Sequence, residues 1–417
     1  MNDLKLSWIA SANSAETLFP LNNLPYGVFS TNGKRPHCGV AIGNFILDVT
    51  LAEESGLLTI CSEPLFKAAS WNKLMSQSPN VWTTFRTRLM EILAEDSSDQ
   101  ARAEAFLISS ADVQLHMPFT VSEYTDFYAG RHHALNVGMM FRGPENALPP
   151  NWLHIPIGYN GRASSIVVSG TNIRRPWSQL KSPDDTDPRF GPSARFDIEL
   201  EIGAVVGVPS NGPITVSQAD DNIFGYVLLN DWSARDIQAW EYQPLGPFQS
   251  KATATSISPW IVTKAALDPF RCETPEREKE LLPHLRDCGP MLYDINLSVS
   301  LIPDNGLETE IAHTNYNVMY YSAAQQLAHH TTSGCPMRTG DLLGSGTISG
   351  PRKDNRGSLL ELSWGGKEPF ELIDGSSRSF LEDGDTIVLK GSANGHGYKV
   401  GFGDCVGKII EAVNDLE

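Results

Sequence analysis

The segment Phe196-Asp197-Ile198-Glu199-Leu200-Glu201-Ile202 alternates polar and apolar residues, which is the period of a β-strand. Side chains two apart on a strand share a face, so Glu199 and Glu201 project together. Two like charges held that close raise each other's pKa unless a cation compensates them. Two further segments bring carboxylates to comparable places. The apolar run Tyr226-Val227-Leu228-Leu229-Asn230-Asp231-Trp232 closes on Asp231, and Tyr124-Thr125-Asp126-Phe127-Tyr128 carries Asp126. Carboxylate oxygens without thiolates suit a hard cation, Mg²⁺ or Ca²⁺, better than zinc. A solvated polar strand face is the bland alternative for a lone Glu-x-Glu, and the neighbouring motifs outweigh it.

The chain of 417 residues exceeds one average domain and is expected to hold two. Its Gly and Pro content fits a turn-rich, β-rich fold. A net charge of −17 argues against a nucleic-acid partner, which needs a basic surface. Cys38, Cys61, Cys272, Cys288, Cys335 and Cys405 lie far apart with no Cys-x-x-Cys pair, as expected of free thiols in a reducing compartment. The start Met1-Asn2-Asp3-Leu4-Lys5 lacks the basic and apolar blocks of a leader. No apolar run approaches the ~20 residues of a membrane span. These features predict a cytoplasmic protein without a membrane partner.

Along the chain, Gly39–Gly43 and Asn44–Val49 read as strands joined by a tight hairpin at Ile42-Gly43-Asn44-Phe45. Helical stretches follow at Pro64–Met75 and Val81–Glu95, then a surface helix junction over 95–104. A domain boundary is placed at Met117-Pro118. Beyond it, Ser165–Ser169, Asp294–Ile302 and Asp385–Lys390 read as strands separated by Gly/Pro turns, which favours a β-sandwich or roll. Helices are expected at Asp231–Trp240 and Ser322–His330, and an excursion loop over Asp268–Pro290.

Four long segments carry the chemistry: DFYAGRHHALNVGMMFR from Asp126, NWLHIPIGYNGRASSIVVSG from Asn151, LLNDWSARDIQAWEYQPLGPF from Leu228 and DLLGSGTISGP from Asp341. Together with NLPYGVF at Asn23–Phe29 they closely resemble the fumarylacetoacetate hydrolase family, in order over nearly the whole chain. The resemblance implies a mainly β fold: a small SH3-like N-terminal barrel over 1–117, then a large catalytic β-roll over 118–417. It also implies a cytosolic homodimer that hydrolyses a carbon–carbon bond in phenylalanine and tyrosine breakdown. Its substrate is a β-diketone dicarboxylate, fumarylacetoacetate, cleaved to fumarate and acetoacetate.

By the same resemblance, Asp126, Glu199, Glu201 and Asp231 are metal carboxylates, with Lys251 and Thr255 beside the metal. A protonated Lys251 is no ligand, so it reads as an electrostatic or hydrogen-bonding neighbour. Imidazole suits a general base. Position alone does not choose between His132 and His133; the family pattern Arg-x-His-Ala-x-Asn-Val-Gly selects His133. His329 and His330 form a second pair assigned to structure. Glu361, a polar residue in what reads as an apolar strand, matches the carboxylate that orients the base. Arg235 and Gln238, three apart on one helix face, are expected with Lys251 to stabilise an oxyanion. Asp231 is expected near that helix's N-terminus, where the dipole favours a carboxylate. Tyr128, Arg142, Tyr159, Gln238, Tyr242 and Thr347 match substrate contacts, with Arg142 suited to grip a carboxylate in bidentate fashion. Ala252-Thr253-Ala254 departs from the Ser-Phe usual in relatives and is expected to alter local packing or metal preference.

Two rival readings stand. An acylpyruvate hydrolase, or a related decarboxylase or isomerase of the wider superfamily, would be shorter and lack the N-terminal part. A non-catalytic metal-binding β-scaffold would have no use for His133, Glu361, Arg235 and Gln238 together.

Overall fold

Most of the chemistry hangs from one sheet whose middle strands are apolar on both sides. In the computed structural model, which describes residues 3–31, 33–304 and 306–414, every residue of the Ile223–Asp231 strand is buried. So is every residue of its antiparallel neighbour Leu200–Val206. The two faces serve two cores. Tyr226 and Leu228 pack with Ile202, Ala204 and Val206 into the larger one. Val227 and Leu229 pack with Val205 into a second core built mainly from the N-terminal region. A strand buried on both faces reads as a continuous apolar run rather than an alternating one.

The N-terminal strands join this sheet edge to edge. Leu107–Ser109, Phe45–Asp48, His37–Ile42 and Tyr26–Ser30 pair in that order, and Tyr26–Ser30 then pairs Trp260–Thr263, which pairs Ile223–Asp231. The expected hairpin is present, with Ile42 opposite Phe45 and Gly43 at φ +55. The closed SH3-like barrel is not found among the described residues. Gln114–His116 pairs only with Tyr26–Ser30 and Leu107–Ser109 only with Phe45–Asp48, so the two end strands do not meet and the N-terminal sheet stays open. The Pro79–Leu93 helix lays Phe85, Leu89, Ile92 and Leu93 into the second core. Of the helix expected over Pro64–Met75, only Asn72–Met75 forms.

A six-stranded sheet, with Asn296–Ile302, Thr386–Asn394 and Cys405–Ile410 at its centre, packs across the larger core. Its Gly391 lies against Leu228 of the central sheet. The result is a mainly β fold of two facing sheets, as the sandwich or roll reading expected. The excursion loop is pinned by Arg277, which donates to Tyr320 O, Asp287 and Gln325. No helix among the described residues is long and apolar enough to cross a membrane. Met1 and Asn2, which opened the leader argument, lie outside the described residues.

Two local expectations are corrected. Asp231 does not start a helix: its strand runs through it, Ser233–Ala234 pairs Phe196–Asp197, and the helix begins at Arg235. The apolar run is buried strand through Asp231, so Asp231 is a strand end and not a helix N-terminus. Glu361 lies in a helical turn, Leu359–Leu362, capped by the Ser358 side chain, and not in a strand.

Candidate active site

Five strand ends deliver the site. Asp126 comes from Tyr124–Phe127, Glu201 from Leu200–Val206, Asp231 from Ile223–Asp231 and Thr255 from Thr255–Ile257. Gly344, the last residue of Leu342–Gly344, sits opposite both Asp126 and Gly203. Glu199 just precedes its strand, and its carbonyl accepts from Asp231 N at 3.2 Å. Oxygens of Asp126, Glu199, Glu201 and Asp231 lie within 4.8 Å of one another, all four residues buried. Gly344 is required by this convergence. A Cβ there would stand 2.5 Å from Asp126 Oδ1 and 2.9 Å from Glu201 Oε2. Gly346, at φ +77, turns its N–H onto Glu201 Oε2 at 2.9 Å.

The charges here are unevenly paired. Arg235 Nε donates to Asp197 Oδ2 at 2.8 Å, and its Nη1 pairs Glu199 at 2.6 Å. Lys251 Nζ bridges Glu199 Oε2 at 2.6 Å and Asp231 Oδ2 at 2.8 Å. Burial opposes the charge on Glu199, but Lys251 and Arg235 outweigh it and hold its pKa well below the usual value. Asp126 and Glu201 bond to neither cation, and Lys251 acts on them only at a distance. Burial pushes both well above the usual carboxylate range, reinforced by Asp231 at Asp126 and by Asp126 at Glu201. Burial also raises Asp231, despite Lys251. Asp126 Oδ1 and Glu201 Oε1 are buried without a hydrogen-bond partner. Buried carboxylate oxygens left bare are costly, so this donor set fits a hard divalent cation. Lys251 is unsuited to ligation: burial lowers its pKa, but Asp231 and Glu199 more than restore it, and the ammonium stays protonated. Thr255 Oγ1 donates to Asp231 Oδ1 at 3.3 Å.

The second constellation is a histidine–carboxylate pair. His133 lies in the first turn of Arg131–Arg142, and its Nδ1 meets Glu361 Oε2 at 2.6 Å across 228 residues of sequence. Glu361 also accepts from Asn136 at 2.8 Å, Ser349 at 2.9 Å and Ser358 at 2.8 Å. Burial would raise its pKa, but His133 and these donors bring it down to about 2. His133 is close enough to Glu199 to act on that carboxyl electrostatically, which joins the pair to the acidic cage. His132 is half-buried, its pKa lowered by burial and by Arg131, and it makes no side-chain bond to Glu361. His330 meets Thr125 Oγ1 at 3.0 Å on the strand's other side, away from Asp126.

The remaining expected residues surround these two groups unequally. Gln238 Oε1 accepts from Arg235 Nη1 at 3.2 Å, which leaves its amide N–H donors free. Arg235 Nη2 and Thr347 Oγ1 are buried and unpartnered. Tyr159 O–H donates to Asp231 Oδ2 at 2.9 Å. The Tyr128 ring meets His133 edge-on at 5.5 Å. Arg142 is at the rim, donating to Asn146 O and Ala147 O at 3.1 and 2.7 Å. Tyr242 is 47% exposed and touches neither constellation through a hydrogen bond. Four participants escaped the reading of the sequence. Asn136 was signalled by its three-residue spacing from His133, and Asp197 by sharing the parity of Glu199 and Glu201. Ser349 and Ser358 carried no signal.

A cation-ready cage of carboxylates beside a carboxylate-held histidine, on paired β-sheets, defines the hydrolase class that the sequence motifs suggested. The chain belongs to the fumarylacetoacetate hydrolase family: residues 123–410 match the model of the fumarylacetoacetate (FAA) hydrolase C-terminal part and residues 22–118 that of the fumarylacetoacetase N-terminal part. Among curated proteins it is 46% identical over 419 residues to the fumarylacetoacetase of Homo sapiens, covering 98% of this chain and 99% of that protein. It is 47% identical over 409 residues to the fumarylacetoacetase of Arabidopsis thaliana, covering 95% and 96%. Among solved structures, the fumarylacetoacetate hydrolase of Exiguobacterium antarcticum superposes with a TM-score of 0.53 at 16% identity, covering 93% of this chain and 99% of that one. That last likeness concerns the fold.

Proposed function

We propose that this chain is a metal-dependent hydrolase that cleaves fumarylacetoacetate to fumarate and acetoacetate, the last step of tyrosine and phenylalanine catabolism. The observation that carries the reading is the full-length match to fumarylacetoacetases, N-terminal part included. Residues 22–118 match the fumarylacetoacetase N-terminal model, which favours this reading over an acylpyruvate hydrolase.

The hard step is the departure of carbon with its bonding electrons. His133, its Nδ1 held by Glu361, presents Nε2 to take a proton from water. The hydroxide adds to a carbonyl carbon, the carbon–carbon bond breaks, and the electron pair leaves as an enolate that is then protonated. Arg235 Nη2, the free Gln238 amide and Lys251 supply donors to the developing oxyanion. Arg142 and Tyr128 grip a carboxylate of the substrate, with Tyr159, Tyr242 and Thr347 as further contacts. A divalent cation, Mg²⁺ or Ca²⁺, held by Asp126, Glu199, Glu201 and Asp231 would supply Lewis acidity at the diketone oxygens. Lys251 holds Glu199 and Asp231 in place, and Thr255 holds Asp231.

The N-terminal strands serve as a lateral extension of the catalytic sheet, an SH3-like module left open between Leu107–Ser109 and Gln114–His116, with the domain boundary at residue 117. The protein works as a homodimer in the cytoplasm. Exposed Trp240, Leu245 and Phe248 beside the Arg235–Glu241 helix support a subunit contact, and six free cysteines support a reducing compartment. The test is an assay of the purified protein on fumarylacetoacetate and on an acylpyruvate, with and without chelator. Fumarylacetoacetate is expected to be cleaved, the activity to vanish on chelation and to return with Mg²⁺ or Ca²⁺. No cleavage, or preference for the acylpyruvate, would overturn the reading.

A further inference from the structure

Asp197 is fully buried and spends its carboxylate on two separate parts of the site. Oδ2 accepts from Arg235 Nε at 2.8 Å and from Leu360 N at 3.0 Å. Oδ1 accepts from Leu359 N at 2.7 Å and from its neighbour Ile198 N at 2.7 Å. Leu359 and Leu360 are the first residues of the turn that carries Glu361. One carboxylate thus fixes both the guanidinium aimed into the site and the turn that presents the partner of His133. Its own strand pair, Phe196–Asp197 with Ser233–Ala234, leads directly into Arg235. Arg235 uses Nε and Nη1 on Asp197, Glu199 and Gln238, so Nη2 is the nitrogen left free.

We propose that Asp197 is a positioning residue for this reaction, setting Arg235 Nη2 and the Glu361–His133 pair in one mutual geometry. The proposal rests on the roles given above to Arg235 and Glu361. An amide at this place keeps the shape but offers a single acceptor oxygen. With that oxygen at the Oδ1 position, the amide nitrogen faces Arg235 Nε and Leu360 N, two donors, and both arms loosen. Asp197 is outside the cation-binding set, so its loss is expected to weigh more on kcat than on metal binding or substrate affinity.

The test is a set of kinetic cycles on the metal-loaded enzyme. Asp197→Asn is expected to lower kcat by ~10- to 100-fold, the scale of misplaced catalytic groups, with KM within about 3-fold. The same substitution is expected to cost less kcat in Arg235→Ala and in Glu361→Gln than in the wild type, because each has already lost one of the arms. Asp197→Glu keeps the charge and both oxygens but displaces them by a methylene; run through the same backgrounds, it decides the matter if Asp197→Asn does not fold. A loss of kcat that is equal in all three backgrounds marks a generally structural residue and overturns the proposal, as does a loss seen only in KM. Wild-type kcat in Arg235→Ala or Glu361→Gln would overturn the underlying roles first, and the proposal with them.

Discussion

Glu201 and Glu361 are both completely buried glutamates of one active site, and they are treated in opposite ways. Glu361 accepts from His133, Asn136, Ser349 and Ser358, and its pKa sits at about 2. Glu201 receives the Gly346 N–H on one oxygen, keeps the other bare, and has its pKa pushed well up by burial and by Asp126. Protein donors complete the first carboxylate, whose negative charge then holds an imidazole. The second is left incomplete, as is Asp126, and a hard cation would complete both.

The contrast breaks most visibly if the incomplete group is removed. Glu201→Ala or Asp231→Ala is expected to lose bound metal and cut kcat by ~10³-fold or more, several kcal/mol of transition-state stabilisation. Metal analysis showing full occupancy in both variants would sink the assignment. On the completed side, His133→Ala is expected to lower kcat by ~10²-fold while retaining metal, and His132→Ala to stay within a few-fold of wild type. Equal losses in the two would mean that the Glu361 contact does not select the base.

The smaller effects separate the two carboxylates by pH. Glu361 has a depressed folded pKa, so its stabilisation is complete above the ordinary value of 4.5 and is lost as pH falls toward about 2. Glu361→Gln should therefore flatten that part of the acid-unfolding curve, keep the metal, and slow turnover by ~10-fold through a less well-oriented imidazole. Asp126 and Glu201 have raised pKa values, so the metal-free protein pays for their ionisation as pH rises, and a bound cation relieves it. Mg²⁺ or Ca²⁺ at a hundredfold excess over Kd should raise Tm at neutral pH by ~5 °C, and by less as the pH is lowered. A rise that is unchanged or larger at low pH would contradict the uncompensated cage.

How far the sequence reached depended on range. Glu199 and Glu201 meet in one buried cluster, as the local alternation predicts, although the strand itself begins only at Leu200. Asp231 was found because an apolar run ends there, but its surroundings were misjudged, since the same run is compatible with strand or helix start until its partners are known. Glu361 sits in Leu-Leu-Glu-Leu, four residues too short to reveal a period, and its turn is helical because Ser358 and Asp197 cap it. Its meeting with His133 came from family likeness alone, because nothing local connects residues 228 apart. The expected N-terminal barrel does not close, because Leu107–Ser109 and Gln114–His116 do not pair, and which short strands meet is a long-range matter that local alternation does not reveal.

The central claim, that Asp126 and Glu201 are incomplete until a cation joins them, is most directly tested by calorimetric titration of chelator-treated protein with Mg²⁺ or Ca²⁺ in buffers of different ionisation heat. Carboxyl groups held well above their usual pKa give up protons as the cation binds. The predicted result is saturable binding with proton release in the wild type and in Glu361→Gln, and no binding in Glu201→Ala. Binding without proton release, or binding undiminished in Glu201→Ala, would contradict the account.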